Sequence, residues 1–197
     1  RRFPFRQNAH IHGNVKISGN ARILGNAIIQ DNSLVLESAD ISDYAEVRGN
    51  SIISGYAQIG AKSIIDSSEI SDSTRVAGES LVTNSTIRGE VHLYNAWVIE
   101  SSISGNVGLE YPIKILNETI KSIADFIVFK NWWSSGRAFA YFTRSDKFRV
   151  GCFYGTGAEL IKKAYNDSFE KGKHYKEIVD YVESIKPELF LRSAQNE

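Results

Sequence analysis

The sequence predicts an all-β parallel solenoid over residues 9–111, followed by a small α+β domain over residues 112–197. Three observations carry this reading: an aliphatic residue recurs every six positions in the first half, Gly-Asn pairs are phased against that recurrence, and the pattern stops at Tyr111-Pro112. Beyond that point the chain turns aromatic, with 15 of its 22 aromatic residues in 112–197.

The recurrence runs Ile11, Ile17, Ile23, Ile29, Val35, Ile41, Val47, Ile53, Ile59, Ile65 without a miss. It then slips by one residue through Ile70, Val76 and Val82, slips again to Ile87 and Leu93, and continues by Val98 and Ile103 to Leu109. Two positions before each aliphatic in the unbroken run stands a small residue or Val, as in Ala9, Val15, Ala21, Ala27 and Ser33. A period of six suits neither an α-helix nor a long flat strand. Its physical solution is a short extended stretch and a sharp turn, repeated. Residues two apart on a strand point to the same side, so the small and aliphatic residues share an interior. Corners such as Gly13-Asn14, Gly19-Asn20 and Gly25-Asn26 supply the positive φ that a tight turn requires. Three sides close a coil of about 18 residues, stacking at about 4.8 Å, so residues 9–111 give between five and six coils.

These hexads resemble the hexapeptide-repeat left-handed parallel β-helix, the fold of a large acyltransferase superfamily. The Ala-x-Ile-x-Gly-Asn spelling is most similar to solenoid proteins encoded by phages and prophages. The resemblance covers about half the chain, and its residues are the ones that build the coil rather than do chemistry. It implies solenoids side by side in a homotrimer. It also raises the expectation of CoA-dependent acyl transfer with a histidine base and a loop excursion that shapes the site. No excursion interrupts the hexads between residues 11 and 65, and the later slips are deletions.

The residue between the small and aliphatic positions points outward. One face reads His10, Ile28, Glu46, Ile64, Leu81, Trp97; the next reads Lys16, Leu34, Ile52, Glu69, Thr86, Ser102; the third reads Arg22, Asp40, Gln58, Arg75, His92, Gly108. The third face is polar. Ile28, Leu34, Ile52, Ile64, Leu81 and Trp97 are apolar where solvent would favour polar residues, and contiguous apolar surface marks an interface. They are the candidate oligomer interface.

In the second half, residues 125–130, 139–144 and 147–150 read as three strands, the last two joined by the Ser145-Asp146 turn. Thr156 and Glu159 form a capping box that opens a helix to about Phe169. A second helix is expected from about His174 to Ile185, ended by Pro187. This tail also resembles the C-terminal module of some phage solenoids, in which a Gly-Cys-Phe-x-Gly-Thr stretch precedes helices.

Composition bounds the function. The 23 Lys and Arg balance 23 Asp and Glu, which argues against a nucleic-acid or membrane-surface protein held by bulk charge. The neutrality divides unequally: residues 112–197 carry 14 basic and 11 acidic side chains, and residues 7–111 carry 6 and 12. One cysteine excludes a disulfide framework and fits a reducing, cytoplasmic setting. No apolar run approaches the roughly 20 residues that span a bilayer.

Each candidate for chemistry has a plainer reading beside it. His92 is the one histidine deep in the stack, but no oriented partner or pocket for a general base is legible. His10, His12 and His92 have metal-ligand types. More than four coils separate His10 from His92, about 20 Å, against zinc–ligand bonds of about 2.1 Å. Cys152, His174 and Asp180 have the types for thiol catalysis but no signature spacing, and Cys152 is expected to be a buried structural cysteine. Gly155-Thr156-Gly157 reads as an ordinary capped helix start rather than an anion cradle. Trp132 and Trp133 share a turn with Arg137, and paired tryptophans there are hard to bury together; these three are the partner-contact candidates.

The reading that follows is a non-catalytic structural or interaction protein, phage- or prophage-associated, oligomerising through the solenoid and presenting its C-terminal module to a protein partner. A CoA-dependent acyltransferase with an active site between subunits is the alternative. A binder of a small anionic ligand in subunit clefts is a third. No cofactor and no metal is expected.

Overall fold

The computed structural model describes residues 8–110 and 112–195, which fall into two compact units divided between Asn117 and Glu118. The first is a parallel β-solenoid of about six turns, with two- to five-residue strands on three sides. Each coil pairs with the next in register. The first side runs His10, Ile28, Glu46, Ile64, Leu81, Trp97, Lys114. The second runs Lys16, Leu34, Ile52, Glu69, Thr86, Ser102, and the third Arg22, Asp40, Gln58, Arg75, His92, Gly108. These are the ladders expected from the hexads.

The interior is a dry stack of Ile29, Val35, Ile41, Val47, Ile53, Ile59 and their successors, all essentially inaccessible. Serines take the small position without leaving a buried hydroxyl unpaired. Ser33, Ser51, Ser63 and Ser80 each donate to the carbonyl three residues back, at 2.6–2.8 Å. Three of the four single-residue slips fall at one corner of the triangle, between the first and second sides. There Ser68, Ser85 and Ser101 donate to the carbonyl two residues back, at 2.8 Å, so the corner closes with one residue fewer. Corners take positive φ: Gly19 has φ +72°, and a Cβ there would sit 2.6–2.9 Å from the backbone of Glu37 on the next coil. Where the corner is not glycine the side chain gains a role. Asp31, Asp43 and Asp72, at φ +59° to +63°, each accept from a backbone N–H one coil on, at 2.9 Å.

The coil continues past the last hexad read from the sequence. Lys114–Leu116 pairs with Trp97–Ile99, which moves the boundary from residue 111 to 117. Pro112 does not end the winding, because proline is tolerated before a strand whose N–H it does not supply.

The second unit holds a four-stranded antiparallel sheet, not three strands: Phe126–Lys130, Ala138–Phe142, Lys147–Val150 and Phe153–Gly155, in sequence order. The fourth strand follows the Gly151-Cys152 turn, where Gly151 has φ +60°. Helix α1 (Gly157–Asp167) starts at the Thr156 capping box, as expected. Helix α2 (Phe169–Ala194) is twice the expected length and carries Pro187 inside it. The proline costs one backbone bond, but the turns beyond it are held: Ser193 donates to the buried Asp125 carboxylate, and the Arg144 guanidinium donates to the Ser193 carbonyl at 3.1 Å. Phe139, Tyr141, Phe148, Leu160, Ala164, Tyr175, Val179 and Val182 form the core between sheet and helices. Gly172 lets α2 pass against the Tyr165 ring, where any Cβ would collide. No helix of the described residues is long and apolar enough to cross a membrane.

Candidate functional site

Two surfaces in separate units hold the residues singled out by the sequence. On the solenoid, Ile28, Leu34, Ile52, Ile64 and Leu81 are half-buried and Trp97 is 44% exposed. All six point out of the coil, and Lys114 lies over the Trp97 ring at 4.4 Å. Beside the first-side ladder runs a second column whose polar groups satisfy one another. Gln30 donates to Glu46 at 3.1 Å, and Arg48 donates to Glu46 at 3.0 Å and to Asp66 at 2.8 Å. The hydrogen bonds to Asp66 and Glu46 raise the Arg48 guanidinium above its ordinary value. Burial pushes the Asp66 carboxyl up, but the bonds from Arg48 and Ser67 outweigh it and hold it below the usual range. Each of these charges therefore has a partner within one chain, one guanidinium serving two carboxylates. Covering the column desolvates charges that already have partners, the condition under which an ion pair is tolerated at an interface.

The second surface is on the C-terminal unit. The loop between Phe126–Lys130 and Ala138–Phe142 is closed by Asn131 N–H donating to the Arg137 carbonyl at 3.0 Å and Gly136 N–H donating to the Asn131 carbonyl at 2.7 Å. It delivers Trp132 and Trp133 to opposite fates. Trp133 is half-buried and packs against Phe139 and Tyr175, so of the paired tryptophans Trp132 is the one that stands exposed. Trp132 is 71% exposed, yet it meets Trp133 edge-on at 5.7 Å and His174 at 5.0 Å. His174 in turn stacks on Trp133 at 5.0 Å and 28°. The loop is further fixed by Asn131, whose side chain donates to the buried Tyr175 hydroxyl at 2.7 Å. Arg137 is exposed at the end of the same loop. The sequence pointed to Trp132 and Arg137; the part played by His174, 42 residues on, has no local signal.

The remaining candidates separate. His92 is exposed, between Arg75 and Gly108 in the third-side ladder. His10 belongs to the first side and the first coil. Among the described residues no group of three or more His, Cys, Asp or Glu is placed to hold a metal ion. Cys152 is exposed on the turn between the third and fourth strands of the module, contrary to the buried cysteine expected, because the strand after it pairs back immediately. Asp180 pairs with Lys176, and His174 Nδ1 lies 3.6 Å from Glu177. In the Gly155-Thr156-Gly157 stretch, Glu159 accepts from Thr156 N–H at 2.8 Å, so a carboxylate of the chain already occupies the helix start.

Two groups escaped the sequence. Glu118, buried, accepts from Tyr154 OH at 2.8 Å and Ser145 Oγ at 3.0 Å, and burial pushes its carboxyl up. On the third side, a cavity of about 320 Å³ lies along Asp40, Gln58, Gly60, Arg75 and Tyr94. It lies beside a column of outward residues, Ser42, Gly60 and Ala77, that the hexad leaves unread.

No known protein family matches this chain, and no curated protein matches it. Among solved structures it is similar to UDP-N-acetylglucosamine O-acyltransferase from Moraxella catarrhalis, at 15% identity over 98% of this chain and 96% of that one, with a TM-score of 0.27. A likeness at that score assigns no activity and no residue role.

Proposed function

We propose that this chain is a non-catalytic assembly and interaction protein. Its solenoid associates with copies of itself, three side by side being the favoured arrangement, and its C-terminal unit offers Trp132 and Arg137 to a protein partner. The observation that carries the reading is the outward ladder Ile28, Ile64, Leu81 and Trp97, flanked by polar groups already paired within the chain. Ile64, Leu81 and Trp97 stand in register on adjacent coils, with Ile28 one coil beyond Glu46, and leave an apolar strip that is costly to hydrate and inexpensive to cover with its own counterpart. Trp132 supports the second half of the reading: it is exposed but held against two rings, so little side-chain freedom remains to be lost when a partner receives it. The partner surface that fits is an apolar recess for the indole, with an acidic rim for Arg137. A phage or prophage setting is supported by the Ala-x-Ile-x-Gly-Asn spelling.

The test is Leu81→Glu, measured by sedimentation. The account expects the assembly to dissociate to a folded monomer with unchanged far-UV circular dichroism. An assembly of unchanged mass would remove Leu81 and its ladder from the interface.

A further inference from the structure

Outward positions on the third side form two parallel columns, and the second leaves a trough. Its members are Leu24, Ser42, Gly60, Ala77 and Tyr94, stacked through bonds such as Leu24 N–H to the Ile41 carbonyl, Ser42 N–H to the Ile59 carbonyl and Gly60 N–H to the Val76 carbonyl, with Ala77 in register with Tyr94. The column is large at both ends and small in the middle. Two coil steps separate Ser42 from Ala77, so the floor is about 10 Å long. Asp40, Gln58 and Arg75 form one wall, Asp43 stands at the opposite corner, and Tyr94 closes one end of the cavity of about 320 Å³.

Gly60 is the key position. It lacks the positive φ that requires glycine at the corners, so its backbone does not strain an ordinary L-residue. A Cβ at Gly60 would sit 3.3 Å from Ser42 Oγ and 3.3 Å from Asp43 Oδ2. The missing side chain is thus what opens the space between a hydroxyl and a carboxylate. Asp40 spends one oxygen on Arg22, and its Oδ1 is buried without a hydrogen-bond partner. A buried lone acceptor is costly unless a donor arrives. Two coils along, the exposed Arg75 has no acidic partner among the described residues.

We propose that this trough binds a short zwitterion of amino-acid to dipeptide size, its ammonium group between Asp40, Asp43 and Ser42 and its carboxylate on Arg75. The polarity follows from the ladder: two carboxylates stand on one coil and an unpaired guanidinium stands two coils away, a separation that a dipeptide backbone at about 3.5 Å per residue spans with both side chains reaching inward. Gln58, between them, offers donor and acceptor to the peptide group. Neither an isolated anion nor an isolated cation satisfies both ends.

Equilibrium dialysis with labelled glycylglycine tests the site, with propionate and propylammonium as single-ended controls. For a ligand of this size the expected dissociation constant is on the order of 1 mM. Each control should bind at least about tenfold more weakly, one shared charge contact being worth roughly that factor. Gly60→Leu fills the trough from an ordinary backbone position and should abolish binding without changing the thermal midpoint. Arg75→Gln should reduce glycylglycine to the affinity of propylammonium. No binding of glycylglycine, a control that binds as well as the dipeptide, or full binding by a folded Gly60→Leu protein would each overturn the proposal.

Discussion

The two units of this chain are organised on opposite principles. In the solenoid nearly every contact joins a residue to its counterpart 16 to 18 positions away: Asn14 to Asn32, Asn32 to Asn50, Arg48 to Asp66. In the C-terminal unit the decisive contacts have no such rule, joining Asn131 to Tyr175 across 44 positions and Asp125 to Ser193 across 68. A period carries its own register, because a shift of one residue would turn each core aliphatic outward. An aperiodic domain fixes its register only through packing, which is not written locally.

The largest effect expected from this contrast is at Asp125. Its carboxylate, 1% exposed, accepts from Lys121 N–H at 2.6 Å, Ser122 N–H at 2.9 Å, Arg144 Nε at 2.9 Å and the Ser193 hydroxyl. Asp125→Ala removes the shared acceptor of these four donors, and breaking a buried pair of this kind costs about 3–5 kcal/mol. The C-terminal unit should melt early, seen in the fluorescence of Trp132 and Trp133, while the solenoid keeps its far-UV signal. Simultaneous loss of both signals would show that the units are one cooperative system.

Next in size is a pair of alanines in adjacent hexads. Gly55 has φ +68°, and a Cβ there would approach the Asp72 backbone to 2.7–2.9 Å, whereas Gly60 has neither constraint. Gly55→Ala should cost about 1–3 kcal/mol as backbone strain. Gly60→Ala should stay within about 0.5 kcal/mol of the parent. Equal midpoints for the two in thermal unfolding would refute the corner account.

This contrast also explains what could be read. The three ladders, from His10 to Trp97, Lys16 to Ser102 and Arg22 to Gly108, follow from the hexad alone, because parallel stacking puts equal phases in register. The coil at Lys114–Leu116 was missed because Pro112 interrupts the spelling without interrupting the winding. In the C-terminal unit three of the four strands are visible as alternation and the first helix by its cap, while the short strand Phe153–Gly155 has too few residues to alternate. The length of α2 is not visible either, since Pro187 is a local stop signal overruled by bonds to Asp125 and Arg144 that lie far back in sequence. The same reason hid the part played by His174, whose ring stacks on Trp133 of a loop about 40 residues back in sequence. Cys152 was placed by the average behaviour of cysteines, and a tight turn overrode it.

The smallest expected effect concerns pH. Burial raises the Glu118 carboxyl above the ordinary value to which the unfolded chain returns it. The folded state therefore holds that proton more tightly, so the contribution of Glu118 is fully present below the ordinary carboxylate range and is lost as pH rises through its raised value. Glu118→Gln, which keeps an acceptor for Tyr154 and Ser145, should flatten that decline in denaturant unfolding of the C-terminal unit. An undiminished decline would assign it to other groups.

The central claim is that the outward ladder of the solenoid is covered by copies of this chain. Sedimentation equilibrium of the unmodified 22.0 kDa chain tests it most directly. The account predicts a stable oligomer, with three chains favoured, whose mass does not change with salt because the ion pairs along the strip are internal to each chain. A monomer across the whole concentration range would contradict it.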